Sequence, residues 1–226
     1  MVELLVAMAI LGIVMGAIYS TYKSQQDSYV AQEQVVEMQQ NLRASLYKLA
    51  KDLRAAGYNP AKNPNIEGFR TEIPEEEGEA SPETSTSATS LAITADLDMN
   101  EQINADDDIE QIAYRFNNGN LTLEKFIYDA ATTSWNWQTV ADNIDAVNFV
   151  YLDGDENPID PATATNLPLI RSVQVTIVAR TGRGDRNFSG TPAYVNKQGV
   201  QILEAKSDNY RRRLLTTTIF CRNMGI

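Results

Sequence analysis

The first 22 residues, MVELLVAMAILGIVMGAIYSTY (Met1–Tyr22), decide how the rest of the chain can be arranged. Residues 4–22 carry no charged side chain. At about 1.5 Å of rise per residue, a helix over this run is roughly 30 Å long, the thickness of a bilayer core. A cleaved signal peptide is disfavoured because a basic start and a small-residue cleavage site are both missing. The stretch therefore predicts a helix that the mature chain keeps.

The helical pattern continues far beyond this apolar stretch, and its second part is amphipathic. Apolar residues recur there at steps of three and four, namely at Val35, Met38, Leu42, Leu46, Leu49 and Leu53. The stripe favours a helix lying on its own domain, and it is short for the alternative, a two-stranded coiled coil. Gly57 and Pro60 predict the end of the helix.

Short alternating runs after residue 90 predict six or seven strands, for example at Val147, Phe149 and Tyr151 and at Val173, Val175 and Ile177. Asn118-Gly119 between two such runs predicts a hairpin turn. The short connections predict an antiparallel sheet, and a helix followed by strands predicts an α+β fold.

The predicted organisation has two parts, a long helix over 1–56 and a globular antiparallel β domain over 57–226. Within the helix, 1–22 would lie in a membrane or fibre core and 23–56 would pack on the sheet. Residues 71–90 are acidic, rich in hydroxyls and poor in large apolar side chains, which predicts a mobile, solvated loop.

Composition excludes several classes of function. The chain has no histidine and one cysteine, so Ser-His-Asp sites, histidine zinc sites and intrachain disulfides are excluded. A net charge of −11 argues against a nucleic-acid partner. We therefore predict a protein that is not an enzyme and carries no cofactor.

One motif offers a weak calcium candidate. Asp153, Asp155 and Asn157 begin like a calcium-binding loop, but Pro158 stands where such a loop needs glycine and Ala164 where it needs glutamate. A turn is therefore the favoured interpretation.

Three other clusters have ordinary explanations that we prefer. Asp106–Asp108 is interpreted as a solvated turn and Arg211–Arg213 as charges at a strand start, rather than as a site for an anionic partner. Trp135 and Trp137 could form a sugar-binding platform, but packing in the core or at a sheet edge is favoured.

The segment Val2–Gly12, VELLVAMAILG, closely resembles the N-terminus of type IV pilins and type II secretion pseudopilins. Later segments resemble PilW-like minor pilins and cover most of the chain: Leu53–Pro60, Ala141–Ile144 with Phe149–Asp153, Ile170–Val173, and Tyr210–Arg213 with Arg222–Asn223. The resemblance implies a pilin-like fold whose apolar half-helix protrudes.

The resemblance also implies roles for single residues. Glu3 matches the family's glutamate, which would meet the terminal amine of a neighbouring subunit and set the assembly register; the alternative is an acid that stabilises the helix start. Gly12 and Gly16 form a G-x-x-x-G pair that can allow close helix approach. The expected partners are other pilin or pseudopilin subunits, and prepilin peptidase where the native gene supplies the leader that this chain, beginning at Met1, does not show.

The expected location is the inner membrane, with a single span and the globular part outside the cytoplasm, followed by the extracellular pilus. Three functions stay open: a minor pilin acting in pilus initiation or at the tip, a minor pseudopilin of a type II secretion system, or a membrane-anchored adhesin or glycan-binding module. The residues do not separate the first two.

Overall fold

A computed structural model describes residues 2–63, 66–71, 85–103, 110–129 and 134–225. Helix α1 (Val2–Ala55) is continuous over 54 residues and contains no proline. Gly57, with a φ of 73°, follows its end in the left-handed conformation that glycine adopts most easily. The predicted stop at Gly57 is therefore where the helix ends.

Ten strands follow in the described part of the chain: β1 (Ser90–Thr94), β2 (Gln111–Asn117), β3 (Thr122–Asp129), β4 (Ser134–Ala141), β5 (Ile144–Leu152), β6 (Pro158–Ile159), β7 (Ser172–Arg180), β8 (Tyr194–Val195), β9 (Gln201–Leu203) and β10 (Arg212–Phe220). A 3-10 helix covers Ala164–Leu169. All strand pairs are antiparallel, in the orders β1-β2-β3-β4 (sheet A), β10-β7-β5-β6 (sheet B) and β8-β9.

The second half of α1 packs between the two larger sheets. Its buried stripe consists of Met38, Leu42, Leu46, Leu49 and Leu53, with Val35 half-buried beside it. The stripe joins Leu91, Ile93 and Tyr114 of sheet A and Phe149, Val175 and Ile177 of sheet B in one core. Full burial of one such aliphatic side chain contributes about 1.5–3 kcal/mol. The predicted α+β fold, with the amphipathic half of the helix on an antiparallel sheet, is confirmed.

The number and grouping of the strands differ from the prediction. We expected six or seven strands, and the described residues form ten in three sheets. The division occurs after β4, where the chain turns at Asn143, whose φ is 58°, and enters sheet B as β5. Alternation along each strand shows that one face is buried, but it does not show which strands share a sheet.

The predicted hairpin turn at Asn118-Gly119 is present, but its loop is longer than the dipeptide. Asn117 pairs with Thr122, so the loop between β2 and β3 has four residues, 118–121. The side-chain oxygen of Asn117 accepts hydrogen bonds from the backbone N–H groups of Gly119 (3.0 Å) and Asn120 (3.2 Å). This side-chain turn organises the loop and makes it longer than the dipeptide suggested.

Candidate functional site: the exposed half of the long helix

The N-terminal half of α1 projects from the sheets with its apolar surface uncovered. Every described residue from Val2 to Val30 is exposed, and the most apolar 18-residue window has a mean hydropathy of 2.3 with none of it buried. The helix is long and apolar enough to cross a membrane. Soluble monomers rarely expose an apolar surface of this size. Such a surface marks contact with lipid or with other proteins.

Glu3 lies in the first turn of α1, with its side chain exposed. The first N–H groups of a helix and its dipole favour an acid there, typically by about 0.3–1 kcal/mol. If lipid or neighbouring helices cover this turn, the carboxylate loses its water and needs a cation or several N–H donors. Glu3 can therefore form an ion pair or hydrogen bonds with a neighbouring molecule when this turn is covered.

Gly12 and Gly16 lie one turn apart in the exposed half of α1. A Cβ atom added at either position would meet no other atom of the chain within 4 Å, outside the local helix backbone. Neither glycine is needed for packing inside the chain as described. Their shared surface leaves room for the backbone of another helix to approach closely.

Polar contacts hold the second half of α1 at a fixed position on the sheets. The Asp52 carboxylate accepts a hydrogen bond from the Tyr114 hydroxyl at 2.7 Å and pairs with the Lys125 ammonium at 2.9 Å, both on sheet A. The Asn41 amide donates to the Asp142 carbonyl at 3.1 Å. The direction in which the apolar half projects is therefore set by the globular part.

The carboxyl end of α1 is tied to the end of the chain. The Asn223 side-chain amide donates to the carbonyl of Arg54 at 3.1 Å and to that of Ala55 at 3.4 Å. These bonds satisfy two of the carbonyls that a helix end leaves open.

Comparison with known protein families matches residues 31–194 to the family described as prepilin peptidase-dependent protein B. The match spans most of the chain, from the polar half of α1 to β8. The chain belongs to the prepilin peptidase-dependent protein B family. It is therefore a pilin-like protein related to type IV pili, and the predicted resemblance is confirmed.

Solved structures with a similar arrangement include a type IV-like pilin from Thermus thermophilus. It is 16% identical, with a TM-score of 0.48, and the alignment covers 83% of this chain and 97% of the pilin. No curated protein matches the chain.

The weak calcium candidate forms a tight turn. The Asp153 carboxylate accepts hydrogen bonds from the N–H groups of Asp155 (2.9 Å) and Asn157 (2.8 Å). These bonds lower the pKa of Asp153, the one from Asn157 most strongly. The carboxylate thus accepts hydrogen bonds from its own loop, which agrees with the favoured interpretation as a turn. We assign it no calcium role.

A second acidic group escaped the sequence analysis. Carboxylate oxygens of Asp96, Asp98 and Glu110 lie within 4.8 Å of one another, close enough to share a cation. The buried Asp96, however, accepts hydrogen bonds from the N–H groups of Asn100 (3.1 Å) and Glu101 (3.3 Å). These bonds give Asp96 a role in ordering its loop, and we assign no metal site.

Trp137 packs against its own sheet. Its ring centroid lies 4.8 Å from that of Phe126, and the Arg115 guanidinium lies 4.0 Å above it. This arrangement is edge packing rather than a free platform. The side chain of Trp135, the Asp106–Asp108 cluster and residues 72–84 of the predicted loop fall outside the described part.

The three consecutive arginines serve different purposes. Arg211 pairs with Asp185 at 2.8 Å, and Arg212 pairs with Asp145 and Asp208 at 2.5 and 2.6 Å. Arg213 is exposed and makes no salt bridge with a described residue. The sequence placed all three at a strand start but did not reveal that Arg212 is buried, because its carboxylate partners lie far away along the chain.

Proposed function

We propose that this protein is a minor pilin, a structural subunit that assembles into a type IV pilus through its N-terminal helix and acts in pilus initiation or at the tip. The supporting observation is the contrast along α1: the stripe from Val35 to Leu53 packs on the sheets, whereas the residues from Val2 to Val30 are exposed. Before assembly, residues 1–22 span the inner membrane with the globular part outside the cytoplasm. Prepilin peptidase and other pilin subunits are the expected partners.

In this proposal Glu3 sets the assembly register. Within the fibre its carboxylate meets the terminal amine of a neighbouring subunit, in surroundings from which water is excluded. Removing one member of a buried ion pair costs about 3–5 kcal/mol, because the remaining charge is left unpaired. Such a cost is large enough to block incorporation into the fibre without unfolding the globular part.

The test compares full-length protein in its host, expressed with its native leader, as wild type, Glu3→Ala and Glu33→Ala. Glu33 is an exposed acid in the polar half of the same helix and serves as the matched control. We expect wild type and Glu33→Ala in sheared pili, and Glu3→Ala retained in the membrane. If no form leaves the membrane while pili still assemble, the proposal fails.

A gene deletion in the same host distinguishes a minor pilin from a minor pseudopilin of a type II secretion system. Deleting the gene should remove surface pili or reduce their number while secretion of exoproteins continues. Lost secretion with normal pili would instead identify a minor pseudopilin.

A further inference from the structure

The last strand, β10, leaves one edge of sheet B open. It pairs with β7 through nine consecutive residue pairs, from Arg212↔Arg180 to Phe220↔Ser172, without a register shift. No other strand neighbours β10 in sheet B. An uninterrupted nine-residue edge strand presents unpaired backbone groups along its outer side.

The register identifies which backbone groups face outward. Just beyond the two ends of the ladder, the N–H of Thr181 donates to the Arg211 carbonyl and the N–H of Cys221 donates to the Arg171 carbonyl. Hydrogen-bonded pairs alternate along an antiparallel ladder, so odd-numbered residues of β10 bond to β7. The N–H and C=O groups of Leu214, Thr216, Thr218 and Phe220 therefore point away from the sheet, and no described residue pairs with them through the backbone.

The other edges of sheets A and B in the described part of the chain carry features that hinder pairing. The outer side of β1 is covered by residues 68–70, which exchange hydrogen bonds with Ala92 and Thr94. Strand β4 has a register shift against β3, and β6 has only two residues and begins with Pro158. Short length, irregularity and proline are among the usual means of preventing edge pairing, and β10 has none of these three.

Side chains beside the open edge offer apolar contact. Leu215 is 37% exposed and Phe220 is 62% exposed. Between them lie Thr216, Thr217 and Thr218, a residue type that favours extended strands. From Leu214 to Phe220 the strand carries no charge, glycine or proline.

The charges at the ends of this uncharged run indicate the kind of partner. Arg213 precedes it and Arg222 follows it closely; both are exposed, and neither makes a salt bridge with a described residue. In a second copy of β10, paired antiparallel, arginines would approach arginines at both ends. Like charges brought together in this way disfavour self-pairing.

We propose that the open edge of β10 binds an extended segment of a partner protein, with an uncharged centre and an acidic residue at each end. The segment adds a fifth strand to sheet B: its backbone pairs with Leu214, Thr216, Thr218 and Phe220, and its acids meet Arg213 and Arg222. Backbone bonds supply affinity, and the end charges select the partner. This surface is separate from the exposed half of α1, so the inference goes beyond the proposed function.

The binding test uses the full chain in detergent micelles and synthetic nine-residue peptides of alternating valine and threonine. One peptide carries glutamate at both ends, and the other carries lysine. We expect the glutamate peptide to bind at least about tenfold more tightly. Equal affinities, or no binding of the glutamate peptide, would overturn the proposal.

Amide hydrogen exchange locates the site. Bound glutamate peptide should slow exchange at Thr216 and Thr218, whereas Leu215 and Thr217, which already bond to β7, should change little. Protection elsewhere without protection at these two amides would contradict the assignment.

Variants separate the backbone contribution from the charges. Thr216→Pro removes one outward N–H while leaving the β7 ladder intact, and it should abolish binding, whereas Thr216→Val should bind like wild type. The double variant Arg213→Glu/Arg222→Glu should bind the lysine peptide more tightly than the glutamate peptide. This second test remains valid if the proline variant does not fold. Arg186→Glu, a charge change on an exposed arginine elsewhere, is the control.

Concentration-dependent dimers that Thr216→Pro dissolves would show that a second copy occupies the edge, and would overturn the proposed partner.

Discussion

The Asp52 carboxylate on α1 accepts a hydrogen bond from the buried Tyr114 hydroxyl of sheet A at a distance of 2.7 Å. Burial, followed by the neighbouring carboxylate, raises the pKa of Tyr114 well above its usual range. The phenol thus stays protonated and donates under all ordinary conditions. Because Asp52 also pairs with Lys125, one carboxylate on the helix engages two strands.

Replacing Tyr114 with Phe should destabilise the fold by about 1.5–3 kcal/mol, the typical value of a hydrogen bond to a charged group. The ring packing would be kept, so the loss reports on the hydroxyl. Denaturant unfolding of the full chain in detergent measures it. Tyr47→Phe is the control, since Tyr47 lies on the same helix and is 74% exposed. Equal stability of the two variants would contradict the role of this contact.

Acid sensitivity should depend on Glu124 in strand β3. Burial raises the pKa of Glu124, but hydrogen bonds from Arg115, Thr122 and Asn117 outweigh burial, and the net shift is downward. A lowered pKa in the folded state gives a stability that is present above the unfolded value, about 4.3, and is lost as the pH falls through the folded value.

The Glu124→Gln variant should therefore be about 1–3 kcal/mol less stable at pH 7 and should lose less stability than wild type as the pH falls from about 5 to 3. Chemical denaturation at several pH values measures both effects. Glu204→Gln, at an exposed glutamate, should follow the wild-type curve. If the stability of Glu124→Gln fell as steeply with decreasing pH as that of wild type, this assignment would be refuted.

Arg212 should be the most sensitive polar position in sheet B. Its side chain is 1% exposed, and it pairs with Asp145 at 2.5 Å and Asp208 at 2.6 Å. Among the described residues, Arg212→Leu leaves the buried Asp145 with only the more distant Arg180, at 3.6 Å. We expect a loss of about 3–5 kcal/mol and, because Asp208 is released, faster proteolysis between residues 184 and 211.

The neighbouring Arg213→Leu is the matched control for this prediction, since Arg213 is exposed. It should change the unfolding free energy by less than about 0.5 kcal/mol. If both leucine variants unfold at the same denaturant concentration, the buried network does not carry the stability assigned to it.

Local patterns in the sequence were sufficient to predict the helix and most of the longer strands. The stripe from Val35 to Leu53 has the period of a helix. Gly57 ends the helix because glycine easily adopts the left-handed backbone conformation found there. These features depend on neighbours in the chain. The α+β class follows from their order.

What the sequence did not predict depends on contacts between distant residues. Tyr114 lies 62 positions from Asp52, and Arg212 lies 67 from Asp145. Nothing in the local pattern around Arg212 separates a buried arginine from the exposed Arg213 beside it. The division into two sheets likewise depends on which strands meet. The assembly roles of Glu3, Gly12 and Gly16 stay predictions, because they concern contacts with other chains.

Cys221 should be chemically inert while the protein is folded. Its side chain is buried, and burial raises the pKa of the thiol to about 12, with Arg171 acting in the opposite direction. A thiol-reactive disulfide at pH 8 should therefore label the native chain slowly, and label the chain rapidly in denaturant. Rapid labelling of native protein would contradict the burial of Cys221.

Gly12 and Gly16 provide a test of the proposed assembly role of α1 that is independent of Glu3. Both positions are exposed in the isolated chain, and a Cβ atom added there meets no atom within 4 Å outside the local helix backbone. A leucine at either position should therefore leave the stability of the globular part unchanged. In a membrane or fibre, however, the larger side chain prevents a neighbouring helix from approaching closely. Gly12→Leu and Gly16→Leu should therefore reduce the amount of protein in sheared pili.

Ala17→Leu is the matched control, since each residue turns a helix by about 100° and Ala17 thus lies on a different face from Gly16. It adds a comparable side chain to the same apolar segment. We expect it to enter pili as wild type does. Equal loss from pili in all three leucine variants would mean that the whole circumference of this helix is tightly packed, and that the glycine pair has no special role.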